Sequence, residues 1–375
     1  MRGINACLIS ATCDDGQTRG DAWGESMREA SIGSKVSFGY VPDRARASVH
    51  SKGSSARLRS TPVQRFGPVT DGASSKLQGV GAMDRHILEF YSRSSEMSTV
   101  GRHLATLDRL PSDLDTLVRT VQHLVVYDAV AGDFYRAEIP EERQDEIHIR
   151  PVERKLDQIL ALDHRPLTVE RPPGRRLAGR CHHYTLLLVA LLRANGVPAR
   201  ARCGFGAYFI PGRFEDHWVC EYWNADQERW VLVDAQLDEV WQAKLSFPHD
   251  NLDVPRDAFL VAGDAWQRCR AEGVDPELFG IGLANLRGLW FVAGDLMRDL
   301  AALNKVELLP WDVWGAQPGP DEQLDDEQLT LFDRIAALTR DPDASFDEVR
   351  ELFADQRLHV PQKVFNSLRQ RTEQL

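Results

Sequence analysis

The stretch that decides the fold is Gly179-Arg-Cys-His-His-Tyr-Thr-Leu-Leu-Leu-Val-Ala-Leu-Leu-Arg-Ala-Asn195, followed by Gly196. From Tyr184 onward it is apolar on nearly all sides, and the glycine is a stop signal, so the stretch predicts a buried helix. Cys181 falls in the first turn of this helix. Unpaired backbone N–H groups and the positive end of the helix dipole there favour a thiolate over a thiol, and they can also bind an oxyanion.

A β-hairpin is predicted downstream of this helix. Asp216-His-Trp-Val-Cys-Glu-Tyr-Trp223 and Trp230-Val-Leu-Val-Asp234 are strand-like runs on either side of a polar turn. With the turn centred between Ala225 and Asp226, His217 lies directly opposite Asp234 on one face of the sheet. A slip of one residue would put the two side chains on opposite faces.

A cysteine, a histidine and an aspartate on these elements form a candidate catalytic set. Cys181 supplies a nucleophile, His217 a base that takes its proton, and Asp234 a carboxylate that orients the imidazole. Taken singly, each has a structural alternative, since buried free cysteines pack as small hydrophobic residues, but the joint pattern favours catalysis. His182 and His183 diverge from each other on the helix and have no evident orienting acid, so we interpret both as structural.

Four segments of this region resemble the transglutaminase-like superfamily: residues 179–181, 191–200, 216–219 and 230–234. The resemblance implies an α+β fold with a papain-like core, in which a cysteine helix packs on an antiparallel sheet with flanking helices. It also implies that Cys181 is the nucleophile, His217 its base and Asp234 the orienting acid. The reaction class it implies is acyl transfer from an amide or ester through a thioester.

A cluster of arginines precedes the cysteine in an otherwise acidic protein: Arg165, Arg171, Arg175, Arg176 and Arg180. One interpretation is a cradle for a carboxylate or phosphate of the substrate, because guanidinium groups bind such oxygens in pairs. It makes Arg175, Arg176 and Arg180 candidate substrate-binding residues. The other interpretation is that these arginines pair with nearby acids. Trp218 is a further candidate for lining an acyl-binding cleft, although core packing is the simpler interpretation for the tryptophans of the hairpin.

The composition argues against several classes of protein. The 375 residues carry a formal net charge of -11, which disfavours a nucleic-acid-binding surface. The six cysteines form no C-x-x-C pair and no dense framework, so we expect reduced thiols, a cytoplasmic location and neither a metal nor an organic cofactor. The sequence has no apolar run of about 18 residues, so no membrane partner is expected. The expected partner is a peptide or small-molecule amide substrate.

The chain divides into three parts by its pattern. Residues 1–82 are rich in Gly, Ser, Arg and Ala without a sustained period, and we expect them to be disordered or to lie upstream of the true start, Met83. Residues 83–316 are predicted to form the catalytic domain. After the break at Gln317-Pro-Gly-Pro320, residues 321–375 are predicted to form a helical appendage, with helices at residues 326–339, 346–353 and 362–368.

The function predicted from these features is cleavage of a peptide or other amide bond by a cysteine-dependent amidohydrolase or peptidase. The main alternative is an amide-forming acyltransferase that uses an amine acceptor. The arginines ahead of Cys181 would repel a cationic amine, which favours water as the acceptor and an acyl donor with a carboxylate. A peptide N-glycanase-like amidase is a minor alternative, since the paired C-x-x-C motifs of those enzymes are missing. A non-catalytic binding module is disfavoured by the intact candidate set.

Overall fold

The computed structural model describes residues 83–107 and 110–375, so the predictions for residues 1–82 lie outside the described part of the chain. The α-helices are α1 (Arg85–Ser92), α2 (Leu104–Leu107), α3 (Leu114–Leu124), α4 (Ala131–Tyr135), α5 (Val152–Leu162), α6 (Cys181–Ala194), α7 (Glu239–Leu245), α8 (Ala262–Ala271), α9 (Leu289–Leu303), α10 (Asp326–Arg340) and α11 (Phe346–Phe353). The strands are β1 (Val125–Tyr127), β2 (Leu177–Gly179), β3 (Ala199–Gly206), β4 (Phe214–Asn224), β5 (Arg229–Val233), β6 (Phe259–Val261), β7 (Phe279–Ile281), β8 (Leu286–Arg287), β9 (Asp312–Val313), β10 (Lys363–Asn366) and β11 (Arg371–Gln374). Short 3-10 helices lie at Gly101–His103, Asp128–Val130, Glu141–His148, Pro173–Arg175, Pro276–Leu278 and Gly282–Ala284.

The main sheet is built around the long strand β4. Within the described residues it has six strands, in the order β6-β3-β4-β7-β8 with β5 also paired to β4. One edge of β4 pairs with β3 along residues 215–222. The other edge pairs with β7 at residues 214–215 and with β5 at residues 220–224, so none of the described strands covers residues 216–219 on this edge. The middle of β4 therefore lacks a partner strand on this edge among the described residues, and we call this uncovered stretch, residues 216–219, the gap.

The predicted buried helix is α6, and it begins at the cysteine as expected. Nearly every residue of α6 is buried, and Gly196 beyond its end has a φ of 73°, the left-handed conformation of a helix stop. The helix packs against β3 and β4. At the gap, the hydroxyl of Thr185 donates to the carbonyl oxygen of Trp218 at 2.9 Å. The predicted α+β class is confirmed: a cysteine helix packs on a mostly antiparallel sheet, in which β4 and β7 are the parallel pair, and other helices flank it.

The hairpin of β4 and β5 differs from the predicted one in its register. Cys220 pairs with Val233, which shifts the pairing by two residues from the one that sets His217 opposite Asp234. Because side chains along a strand alternate with a period of two, this shift keeps both side chains on the same face. They are diagonal neighbours, and Asp234 lies just beyond the end of β5.

The turn of this hairpin explains the shift. Residues 225–228 form the loop, whose centre lies between Asp226 and Gln227, one residue later than predicted. The side-chain oxygen of Asn224 accepts hydrogen bonds from the backbone N–H groups of Asp226 at 3.0 Å and Gln227 at 3.1 Å. Glu228 closes the loop with a φ of 48°. An asparagine-capped turn of this kind sets the loop length and therefore the register.

The C-terminal segment is helical only in part. The predicted helices at 326–339 and 346–353 are confirmed by α10 and α11, but the predicted helix at 362–368 is wrong, because β10 occupies that segment and pairs with β9 and β11. Lys363 is exposed and Val364 buried, an alternation that suits a strand. The division at residues 317–320 stays a prediction, and contacts cross it: Arg202 donates to the carbonyl oxygen of Thr339 at 2.9 Å.

Across residues 83–107 and 110–375, no helix combines the length and the apolar character that crossing a membrane requires.

Candidate active site

Cys181 lies at the gap in β4 because the first turn of α6 is anchored there. Its side chain is buried, and the backbone N–H groups of Trp218 and His182 face the sulfur. The N–H and C=O of one strand residue point to the same side, so the bond from Thr185 to the carbonyl of Trp218 fixes this arrangement. Two N–H groups therefore converge on the sulfur, one from the helix and one from the uncovered edge of the strand.

The expected thiolate is not the resting state of this cysteine. Burial raises the pKa of the Cys181 thiol well above its ordinary value, and the carboxyl of Asp216 adds to the rise at a pH where it is ionised. The N–H groups of Trp218 and His182 act in the opposite direction but do not outweigh burial. The expectation from the helix dipole is therefore corrected: Cys181 rests as a neutral thiol, which must lose its proton before the sulfur can act as a nucleophile.

The protonation state of Cys181 predicts how it reacts with iodoacetamide. We expect alkylation of Cys181 to be slow at pH 6 and to accelerate about tenfold per pH unit up to pH 8, because only the thiolate is nucleophilic. Peptide mapping by mass spectrometry at each pH measures the rate, and Cys269 is the internal control because burial raises its thiol pKa to about 12. A rate for Cys181 that does not change between pH 5 and pH 8 would show a preformed thiolate.

His217 is held by a carboxylate, as the sequence predicts. Its Nε2 lies 2.8 Å from Oδ2 of Asp234. Asp234 also accepts a hydrogen bond from the hydroxyl of Tyr208 at 2.7 Å and one from the backbone N–H of Gln236 at 3.0 Å. Because an ionised carboxylate can only accept hydrogen bonds, Nε2 of His217 must donate to Asp234 and therefore carries the proton. Nδ1 of the neutral imidazole is then the nitrogen that can accept a proton.

Aromatic rings restrain the imidazole of His217 from other directions. The ring of Phe209 contacts it edge-on at 4.8 Å between centroids, and those of Tyr208 and Phe259 lie at 6.1 and 6.3 Å. Asp234 and these rings together hold the histidine in one orientation. This is the preorganisation that a general base requires.

Cys181 and His217 share the wall of one cavity of about 450 Å³. Much of the remaining wall is apolar and aromatic, including Phe209, Trp241, Phe291 and Trp311. Trp311, from the loop after α9, forms part of this wall, whereas Trp314 from the same loop is buried and donates to the carbonyl of Leu358. The cavity therefore suits a substrate with an apolar group next to the reacting carbon.

The structure separates the three candidate substrate-binding arginines. Arg180 lines the cavity, but its guanidinium makes a two-point contact with the carboxylate of Asp128, another lining residue. Arg176 does not line the cavity; it is buried and donates to the carbonyl oxygens of Arg171 at 2.9 Å and Gln122 at 3.1 Å. Arg175 is exposed and also lies away from the cavity wall. The arginine-rich segment thus braces the loop ahead of Cys181.

The neighbours of the candidate set on α6 and β4 are core residues. Trp218 is buried away from the cavity wall, and its ring packs edge-on against His182 at 4.9 Å between centroids. Burial lowers the pKa of His182 and of His183 well below the usual value, so both are neutral. Nδ1 of His183 accepts a hydrogen bond from the backbone N–H of Arg180, which caps the helix. The structural interpretation of the two histidines fits these contacts, and Trp218 packs in the core.

A cluster of acidic groups lies beside Cys181, and one of them, Asp216, lines the cavity. Among the described residues, Cys203, Asp216 and Asp295 are the group that could offer ligands to a metal ion, with one ligand atom each within 4.8 Å of the others. Arg298, however, donates to Oδ1 of Asp295 at 2.9 Å, and burial raises the pKa of the Cys203 thiol. Metal ligands must be deprotonated, so these residues fit a shared proton better than a metal ion.

Sequence reasoning did not find several residues of this site. Tyr208 and Asp128 carried no motif, because their roles depend on contacts across the fold. Asp295 and Arg298 did carry a signal: they are charged residues three positions apart inside an apolar helix, and such residues are rarely buried unless they are paired.

Residues 164–235, which include Cys181, His217 and Asp234, match the family model of the transglutaminase-like superfamily. No curated protein sequence matches the chain. A solved structure of a proposed cysteine protease from Cytophaga hutchinsonii is similar over 48% of this chain and 46% of its own, with 17% identity and a TM-score of 0.28. This chain therefore spans less than half the length of that protein.

Proposed function

We propose that the chain cleaves an amide bond through a thioester at Cys181, and the match of residues 164–235 to the family model of the transglutaminase-like superfamily supports this proposal. The observation that carries the proposal is the pairing of His217 with Asp234 at 2.8 Å on the wall of the cavity that Cys181 also lines. A nucleophile, a base and an acid that orients the base then meet at one cavity.

The first half of the reaction forms the thioester. The Cys181 sulfur attacks the amide carbon while its proton passes to Nδ1 of His217, which Asp234 keeps facing the cavity. The backbone N–H groups at the start of α6 stabilise the negative charge that develops on the carbonyl oxygen. The C–N bond then breaks, and the amine leaves with the proton from His217.

The second half returns the thiol. Water attacks the thioester carbon and gives a proton to His217, the C–S bond breaks, and the proton returns to the sulfur as the acid leaves. An amine would replace water only if the site held it at high effective concentration. Two of the acids along the cavity are already engaged, since Asp128 binds Arg180 and Glu215 accepts from the backbone N–H of Gly282. This pairing supports water as the acceptor.

The cavity favours a substrate class that differs from the one expected from the arginine cluster. That cluster suggested an acyl donor with a carboxylate, but Arg180 is paired and Arg175 and Arg176 lie elsewhere. The aromatic wall instead supports an amide whose acyl side carries an apolar or aromatic group.

The test is a comparison of the wild type with Cys181→Ala. Both are incubated with a pooled library of peptides and small amides together with biotinylated pentylamine, and products are identified by mass. We expect hydrolysed products from donors with apolar acyl groups in the wild type alone. Amine adducts that exceed hydrolysed products would assign an acyltransferase, and identical product profiles for the two proteins would rule out catalysis by Cys181.

A further inference from the structure

We propose that Asp216 is a further catalytic residue, whose protonated carboxyl donates a hydrogen bond to the carbonyl oxygen of the substrate as that oxygen becomes an oxyanion. The inference rests on the proposed function, because it assigns the second donor for the same reaction. The backbone N–H groups at the start of α6 supply the first.

The position of Asp216 supports this role. It precedes His217 on β4 at the gap, and although adjacent side chains point to opposite faces of a strand, both residues line the cavity beside this uncovered edge. Asp216 and Cys181 both line that cavity. Within the described part of the chain, Oδ1 of Asp216 is buried and has no hydrogen-bond partner. A buried carboxyl oxygen without a hydrogen-bond partner destabilises the folded protein. A bound substrate that supplies the missing hydrogen bond would remove this cost.

The surroundings of Asp216 keep a proton on it. The titratable and charged groups that face it are Glu215 and His217 on β4, Cys203 on β3, Asp295 and Arg298 on α9, and Cys181 on α6. A carboxyl oxygen of Asp295 lies within 4.8 Å of one of Asp216, and Arg298 is the cation of this group. Asp295 is buried and Asp216 is half-buried, and two carboxyls this close to each other cannot readily both ionise beside a single guanidinium.

The proton resides on Asp216 because Arg298 favours the ionised form of the other carboxyl. Arg298 donates directly to Asp295, whose pKa is raised to about 6 by burial. Burial, followed by the charge of Asp295, raises the pKa of Asp216 well above its ordinary value. At neutral pH Asp216 is therefore a carboxylic acid that can donate. A protonated aspartate serves as an oxyanion donor in ketosteroid isomerase, an unrelated enzyme.

The experiment separates the donor role from a structural one by using two reactions of Cys181. Acyl transfer from 4-nitrophenyl acetate and from the best amide of the library develops an oxyanion, whereas alkylation by iodoacetamide does not. We expect Asp216→Ala to lower kcat for acyl transfer by about 100- to 1000-fold with little change in KM, and to leave the alkylation rate at pH 7 within about threefold. Asp216→Asn keeps an N–H donor and should retain most of the activity.

The pH dependence gives a second readout. As pH rises through the pKa of Asp216, the donor becomes a carboxylate that repels the oxyanion, so wild-type kcat should fall relative to that of Asp216→Asn. Asp295→Asn removes the charge that keeps Asp216 protonated, and this decline should then move to lower pH. Asp295 acts through Asp216, so it is a positioning residue, and a mere packing role would not shift the profile.

The possible outcomes distinguish a failure of the donor role of Asp216 from a failure of the proposed function. Equal kcat in the wild type and Asp216→Ala, or equal losses in Asp216→Asn and Asp216→Ala with alkylation unchanged, would overturn the donor role alone. A change in wild-type kcat on adding EDTA that is absent in Asp216→Asn would replace the donor by a metal ligand. If the wild type shows no turnover that depends on Cys181, the proposed function fails and this inference fails with it.

Discussion

Replacing Asp234 by alanine is expected to lower kcat by about three to four orders of magnitude, the loss seen when a catalytic histidine loses its orienting carboxylate. In the wild type the carboxylate fixes the proton on Nε2 of His217 through a contact of 2.8 Å. Without it, the imidazole can rotate or take the other tautomer, and Nδ1 no longer faces the sulfur in its basic form. Single-turnover kinetics on the best amide measure the effect, and KM should change little.

The contacts of Asp234 also predict that asparagine cannot replace it. Three donors converge on the carboxylate: His217, the hydroxyl of Tyr208 and the backbone N–H of Gln236. An amide has one acceptor oxygen, so in either orientation its NH₂ group meets one of these donors. Asp234→Asn should therefore lose activity nearly as strongly as Asp234→Ala.

Tyr208→Phe is the matched control for these variants. It removes one donor from Asp234 but leaves the contact with His217, so we expect a loss of less than about tenfold. Activity in both Asp234 variants within tenfold of the wild type would mean that another group orients the histidine. A large loss in Tyr208→Phe with intact folding would move part of the orienting role to the tyrosine.

The parts of the site that follow from local patterns could be predicted from the sequence. The apolar run that ends at Gly196 defines the cysteine helix, and strand periodicity puts His217 and Asp234 on one face. The predicted register was off by two residues because the loop that Asn224 caps is centred one residue later than predicted. The prediction that His217 and Asp234 share one face of the sheet still holds, because a shift of two residues equals one period of the strand.

The parts that depend on distant contacts could not be predicted. Arg180 looked like a substrate ligand because its partner, Asp128, is 52 residues away in the chain. The neutral state of Cys181 depends on burial within the folded chain, which outweighs the local effect of the helix start. The helix predicted at residues 362–368 is wrong because β10 forms there by pairing with β9 and β11, and this pairing leaves no recognisable pattern in the sequence of residues 362–368.

The helix that carries Cys181 is fixed at its other end by a buried ion pair, and breaking this pair is expected to be the most destabilising of the changes considered. Arg193 donates to Oε1 of Glu307 at 2.8 Å, and both side chains are fully buried. Arg193 also donates to the carbonyl of Ala199 and the hydroxyl of Ser98, while Oε2 of Glu307 accepts from Ser95. The pair thus connects α6 to β3, to the segment after α1 and to the segment after α9.

Glu307→Ala should lower the free energy of unfolding by about 3–5 kcal/mol, because it leaves the guanidinium of Arg193 buried without its counter-charge. Urea unfolding with an unchanged m value measures the effect. Glu89→Ala is the control: it breaks the exposed pair with Arg85, where the two side chains are 47% and 80% exposed, and should cost less than about 1 kcal/mol. The double variant Arg193→Met with Glu307→Leu removes both charges and should be more stable than Glu307→Ala, since much of the loss comes from the unpaired charge rather than the missing attraction. If Glu307→Ala cost no more than Glu89→Ala, or if the double variant were the less stable of the two, the unpaired guanidinium would not be the cause.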